Sequence, residues 1–206
     1  MKIEVTEEPI KTLEEYAAVP IKFEVNKVFD VMDQQGGSGE FVLKERTLDL
    51  PYVKDYDAIE GEHPTQWARR FDISNWGIFA ARVEGRRVGG VALAFNTSGL
   101  DMLEGREDLA VLWDIRVSPD ARGQGIGSAL FRAAEQWSIA RGCRLLIAET
   151  QNINVAACRF YEQQGCVLAV VRRSAYPSLP EEVQLIWHRT LLQDGTACRR
   201  SLHDQR

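Results

Sequence analysis

The chain has 206 residues, 45% of them hydrophobic, a length that favours one domain with a sizeable core, and no apolar run is long enough to span a bilayer. A formal net charge of -5 at pH 7 excludes a general nucleic-acid-binding role, which needs a basic face, and would steer a cationic small molecule toward the protein instead. Met1-Lys2-Ile3-Glu4 does not open basic-then-apolar, so no secretion signal is expected and the expected compartment is the cytoplasm.

In chain order, residues 21–31 and 40–49 alternate apolar and polar positions and predict two strands joined by the turn Gln34 to Gly39. Lys54 to Ile73 is charged and carries Gly61 and Pro64, which predicts an irregular, substrate-side segment with about one helical turn. Residues 77–83 and 88–96 predict a hairpin around Glu84 to Arg87, with a bulge at Gly89-Gly90. Leu109 to Val117 is an apolar strand ended by Ser118-Pro119-Asp120. From Ile126 to Ala140 the apolar residues recur at three and four, the period of an amphipathic helix, which Arg141-Gly142 stops. Leu145 to Thr150 predicts a strand, Asn154 to Gly165 a second helix, and 167–172 and 183–190 two last strands before a polar tail. Strand-helix-strand-helix joined to antiparallel strands predicts an α/β (α+β) fold: a mixed, mostly antiparallel sheet with helices on both faces.

Cys143, Cys158, Cys166 and Cys198 lack a CxxC spacing and read as free thiols, buried or in the tail. The three histidines, His63, His188 and His203, are scattered, so no metal site and no His-based triad is expected. The segment Arg122-Gly123-Gln124-Gly125-Ile126-Gly127-Ser128 joins strand to helix. Glycines there allow sharp turns and close backbone approach, and the helix start adds unpaired N–H donors and partial positive charge. The segment therefore reads either as a phosphate cradle with Arg122 beside it, or as a plain connecting turn.

A strand ending in Ser-Pro, then RxxGxG and an amphipathic helix, resembles the acetyl-coenzyme A site of the GNAT superfamily of N-acetyltransferases. The stretch from Asn154 through Tyr161 to Gly165 resembles that superfamily's second motif. Together they cover about residues 76–190. Val28 to Val31, Pro51 to Asp57, and Glu149-Thr150-Gln151 through Asn154 to Cys158 further resemble the streptothricin acetyltransferase branch, which modifies antibiotics. One departure is Cys166 after Gly165, where the family usually has Phe. The resemblance implies a sheet splayed between two central parallel strands. It also implies a single domain over 1–192, with 1–75 on the acceptor side, 76–190 as the core, and 193–206 as a tail. Many relatives are dimers, so a homodimer is allowed.

Acetyl transfer to an amine needs a neutral nucleophile, a stabilised oxyanion and a proton for the departing thiolate. An alkyl ammonium of pKa ~10.4 is neutral in only about 1 part in 2,500 at pH 7, so a positioned base matters. Glu149, at the end of its strand and matching the base of some GNAT enzymes, is the first candidate. Asp114 is the second, with strand alternation placing it opposite Trp113 and Ile115. Either could instead be a hydrogen-bonded group that fixes loop ends. By resemblance, Tyr161 is the general acid, Asn154 holds the pantetheine arm or a water, and a backbone N–H near Val117 meets the oxyanion. Ile115, Arg116 and Val117 would pair with the pantetheine amides as an added strand does. Asn154 also reads as a helix N-cap.

Tyr52, Asp55, Tyr56, Asp57 and Trp76 combine acidic and aromatic groups and suit a small-molecule amine acceptor, unless they form a solvated loop and core. The expected activity is direct acetyl transfer from acetyl-coenzyme A to a primary amine, such as that on the β-lysine moiety of a streptothricin-like antibiotic. A protein N-terminus, a lysine, a polyamine or a small metabolite is the alternative acceptor, and a non-catalytic acyl-coenzyme A sensor is the alternative class.

Overall fold

The computed structural model describes residues 2–33 and 41–191; the predicted turn at Gln34 to Gly39 and the predicted tail, with Cys198, lie outside the described residues. The elements are β1 (Ile3–Glu8), α1 (Leu13–Ala17), β2 (Phe23–Asp33), β3 (Phe41–Lys54), α2 (Trp67–Arg70), β4 (Gly77–Val83), β5 (Arg86–Ala94), β6 (Leu109–Val117), α3 (Ile126–Ala140), β7 (Leu145–Gln151), α4 (Val155–Gln163), β8 (Val167–Arg172) and β9 (Gln184–Thr190). Seven strands form one sheet in the order β1-β4-β5-β6-β7-β9-β8, and β2 with β3 forms a separate hairpin. Only β6 and β7 run parallel within that sheet. No helix among the described residues is long and apolar enough to cross a membrane.

Side-chain alternation sends each strand's apolar residues to two cores. Val91 and Leu93 of β5, Leu112 of β6 and Leu146 of β7 pack with Leu130 and Phe131 of α3 and Tyr161 of α4. Ala92, Val111 and Ile147 turn the other way, onto Tyr16 of α1 and Trp67 of α2. The sheet is thus covered on both faces, as the strand and helix order predicts. Glu84 (φ 51°) and Gly85 (φ 80°) make the tight turn between β4 and β5, with both central residues at the positive φ that a two-residue hairpin of this twist requires.

Three local features differ from the sequence reading. β1 and α1 were not predicted; β1 is a half-exposed edge strand rich in Glu, with no clean alternation to mark it. β3 runs through Pro51 to Lys54, because pairing jumps from Lys27↔Thr47 to Val25↔Tyr52 and a bulge takes up Pro51, which has no N–H to donate. In β5 the bulge falls at Val88, between the pairs Ala81↔Gly89 and Arg82↔Arg87. Gly90 serves another purpose: a Cβ there would lie 2.5 Å from the Tyr16 ring and 2.8 Å from the Phe79 carbonyl oxygen. Its bare face lets the Tyr16 ring come close to the sheet.

The seam between β6 and β7 positions the site. They pair only from Leu109↔Leu145 to Leu112↔Ala148, although β6 continues along β5 to Val117 and β7 along β9 to Gln151. Trp113 is an extra residue between the pairs Ala92↔Asp114 and Leu93↔Leu112. This bulge bends β6 away from β7. From Trp113 to Val117 the β6 edge facing β7 has no strand partner among the described residues.

Candidate active site

Beyond the splayed end of β6 comes the glycine turn. Gly123 (φ 73°) and Gly125 (φ 83°) are both left-handed, and nothing lies within 4 Å of a Cβ built on either. Conformation, not crowding, demands glycine there. Gly125 is the N-cap of α3 and offers no side-chain cap, so the first N–H groups of this 15-residue helix remain available to an anion. Gly127 has a different job: a Cβ would meet the Phe160 ring at 3.1 Å, so it allows α3 and α4 to approach. Ser128 Oγ accepts from Gln164 Nε2 at 3.1 Å across the same contact, and Gln124 Nε2 donates to the Asp120 carbonyl at 3.2 Å. Arg122 donates through Nε to the Val117 carbonyl (3.1 Å) and through Nη2 to the Lys22 carbonyl (3.2 Å), tying the turn to β6.

Asp114 and Arg116 form a buried cluster. The Trp113 bulge breaks the alternation, so Asp114 shares the α1 face with Trp113 instead of opposing it, which corrects the sequence expectation. Arg116 donates to Asp114 at 2.7 and 2.9 Å and to both oxygens of Asp57 at 3.0 and 3.1 Å. Tyr16 Oη donates to Asp114 Oδ1 at 2.5 Å, and the Arg116 guanidinium lies 5.0 Å over the Tyr16 ring. Burial, then the Asp114 charge, keeps the Tyr16 phenol protonated well above its usual range. Both Asp114 oxygens are therefore committed. The Arg116 side chain is fully buried, with Asp114 and Asp57 at 9% and 17% exposure. Arg116→Met should cost about 3–5 kcal/mol, because two carboxylates would lose their counter-charge in a dry site. Thermal unfolding would show this as a melting temperature lower by roughly 10 °C; a shift under about 2 °C would refute it.

Glu149 sits past the last β6–β7 pair, on the α1 face with Leu145 and Ile147. Its Oε1 accepts from Tyr176 Oη, in the loop between β8 and β9, and from Gln151 Nε2 at 3.3 Å. Gln151 Nε2 also donates to Tyr176 Oη at 2.8 Å, and Gln151 Oε1 accepts from Tyr56 Oη. Burial, then the Glu182 charge, pushes the Tyr56 phenol above its usual range. Asn154 Oδ1 accepts from the Ala157 N–H at 3.1 Å, capping α4.

Tyr161 approaches from the opposite face, on α4. It is 4% exposed and packs against Phe131, Phe160 and Trp187. Its hydroxyl makes no hydrogen bond among the described residues, and burial followed by the nearby Cys166 and Asp114 pushes the phenol well above its usual range. Tyr161 thus lies on the α3 face of the sheet and Glu149 on the α1 face.

A sequence profile described as "Acetyltransferase (GNAT) family" matches residues 45–166, more than half of the chain. The chain belongs to the acetyltransferase (GNAT) family. This acetyltransferase is 25% identical over 163 residues to streptothricin acetyltransferase A of Bacillus subtilis strain 168, covering 78% of this chain and 86% of the relative. It is 29% identical over 170 residues to streptothricin acetyltransferase of Escherichia coli, covering 81% and 84%. A solved structure from Bacillus anthracis strain Ames, assigned as a streptothricin acetyltransferase and in complex with acetyl coenzyme A, shares the fold. Its TM-score is 0.72 at 23% identity, covering 92% of this chain and 99% of that one.

Of the acceptor candidates, Tyr56 joins the Glu149 chain and Asp57 joins Arg116. Asp55 Oδ1 accepts from the Asp57 N–H at 3.1 Å in a local turn. Tyr52 is 43% exposed and borders an open depression of about 620 Å³ with Leu48, Lys54, Asn152 and Glu182. Trp76 is 5% exposed, donates to Thr97 Oγ1 at 3.0 Å and packs on Trp67, Phe71 and Trp113, so it belongs to the core of the acetyltransferase.

Sequence reasoning missed Tyr16, Gln151, Asn152 and Tyr176. Tyr16 meets Asp114 across 98 positions and Tyr176 meets Glu149 across 27, with no local signal. Gln151 was findable, because two-residue spacing puts it on the Glu149 face. Asn152 binds the β2–β3 hairpin to the sheet. It exchanges backbone and side-chain bonds with Phe29 (2.9 and 3.1 Å) and Val183 (2.8 and 3.0 Å).

Proposed function

We propose that this enzyme is an acetyl-coenzyme A-dependent N-acetyltransferase that acetylates a primary amine of a streptothricin-like cationic antibiotic, on its β-lysine moiety. What supports the reading most is Glu149 past the last β6–β7 pair, Tyr161 on the opposite face of the same sheet, and the uncapped start of α3. The left-handed turn at Gly123 and Gly125, the N–H groups opening α3, and the unpaired β6 edge from Ile115 to Val117 fit a pyrophosphate and a pantetheine arm. These residues, with Arg122 and Asn154, would hold the coenzyme, which supplies an acetyl thioester as co-substrate.

Glu149 takes a proton from the acceptor ammonium, which frees the nitrogen lone pair. A β6 backbone N–H near Val117 supports the oxyanion; such a donor is typically worth about 2.7–4 kcal/mol. Tyr161, kept protonated by burial, gives its proton to the sulfur as the C–S bond breaks, and the proton that the attacking nitrogen sheds on becoming an amide restores the phenol. Asp114 has both oxygens engaged, so it acts as a positioning group for Arg116 and the 55–57 segment. The net charge of -5 and the acidic and aromatic groups around Tyr52 to Asp57 favour a cationic acceptor. The test is to incubate pure protein with acetyl-coenzyme A and streptothricin, reading free thiol and one added acetyl mass on the antibiotic. Thiol release with a peptide amine but none with streptothricin would move the acceptor to a protein N-terminus.

A further inference from the structure

Glu149 is gripped on one side only. Both Tyr176 and Gln151 donate to Oε1, and Oε2 accepts no bond from any described residue. The Tyr176 hydroxyl has its direction set: its oxygen already accepts from Gln151 Nε2, so its single proton goes to Glu149. Gln151 is oriented in turn, because its Oε1 accepts from Tyr56 Oη. The four groups form a chain with one sense, Tyr56 to Gln151 to Tyr176 to Glu149, ending on a carboxylate, and the bonds in such a chain polarise each other. Burial, then the Glu149 charge, pushes the Tyr176 phenol well above its usual range, so it remains a donor.

We infer that Tyr176 is a positioning residue for the transfer reaction: it holds Glu149 through Oε1 and leaves Oε2 as the oxygen that takes the acceptor's proton. The inference rests on Glu149 being the base. In the step, an ammonium N–H bond breaks, the proton moves to Oε2, and the nitrogen lone pair becomes free to attack the thioester carbonyl. The loop between β8 and β9 thereby becomes part of the acid–base apparatus. The other titratable groups around this chain are Cys158, whose thiol donates to the Gln151 carbonyl at 3.8 Å, the Lys54–Glu182 pair, and the Asp57–Arg116–Asp114 cluster across the seam. β9 brings no charge opposite Glu149, which pairs with Ile186.

A double-mutant cycle tests the inference, using acetyl-coenzyme A with three amine probes: streptothricin, spermidine and an alanine-terminated peptide. Tyr176→Phe keeps the ring and removes the donor. It should lower kcat/KM by roughly ten- to hundred-fold, the range for a hydrogen bond to a charged group. The acidic limb of the pH profile should move upward, because a carboxylate that loses a donor takes up its proton more readily. In a Glu149→Gln background, the same change should cost less than about twofold. An unshifted acidic limb in Tyr176→Phe, or an equal loss in both backgrounds, overturns the inference while leaving Glu149 as base. Wild-type rates in Glu149→Gln, or no turnover by the wild type with any probe, remove the base reading and this inference with it. Should Tyr176→Phe not fold, Gln151→Leu removes both the bond that aims the phenol and the second donor to Oε1; it should shift the acidic limb upward and lose its cost in the Glu149→Gln background, and an unshifted limb overturns the inference.

Discussion

Tyr161→Phe should lower kcat by about 10²- to 10⁴-fold, the usual worth of a positioned acid, while coenzyme affinity stays within about twofold. The variant is a clean one. The Tyr161 ring is held by Phe131, Phe160 and Trp187, contacts that Phe retains. Its hydroxyl has no hydrogen-bond partner among the described residues, so its removal orphans no polar group and stability should change little. Calorimetric titration of acetyl-coenzyme A, set beside steady-state rates, separates binding from turnover. Because burial holds this phenol protonated beyond its ordinary value of 10.0, Tyr161 should add no basic limb to the pH profile between neutrality and pH 10. A kcat within about threefold of the wild type would assign the thiolate's proton to water.

Glu149→Gln should produce a loss of similar size, about 10²- to 10⁴-fold in kcat/KM, with the acidic limb of the profile abolished. The amide is close in shape and can still accept from Tyr176, so the chain through Gln151 to Tyr56 retains most of its geometry. What it cannot do is take the ammonium proton. Raising the pH should then recover part of the rate, since a larger fraction of the acceptor amine becomes neutral in solution. An unaltered profile would assign deprotonation of the amine to water, since Arg116 and Tyr16 occupy both Asp114 oxygens.

The parts of the fold that were legible in the sequence are those whose pattern is local. The apolar period from Ile126 to Ala140 gave α3 its observed bounds, and Asn154 marked the start of α4 as its N-cap. Bulges were not legible, because they arise from a mismatch between two strands and neither strand records it alone. The one at Trp113 is the most consequential: it turned Asp114 toward Tyr16, so the alternation argument for that side chain failed. Trp76 looked like an acceptor contact by composition, yet three neighbouring aromatics enclose it. The chain that grips Glu149 draws on the segment after β3, the end of β7 and the β8–β9 loop. Only the fold brings these three together.

The seam also has a thermodynamic consequence. Four residue pairs join the half-sheet β1-β4-β5-β6 to the half-sheet β7-β9-β8, and a ligand hydrogen-bonded along the bare edge of β6 would stand in for a missing strand. Such a molecule completes the sheet as well as occupying a groove. Its binding free energy adds to the cohesion of the whole protein and grows with its concentration, as for any ligand that favours the native state. Since that edge of β6 is already unpaired among the described residues, no strand pairing has to be broken to admit it, and less of the interaction is spent on ordering the protein.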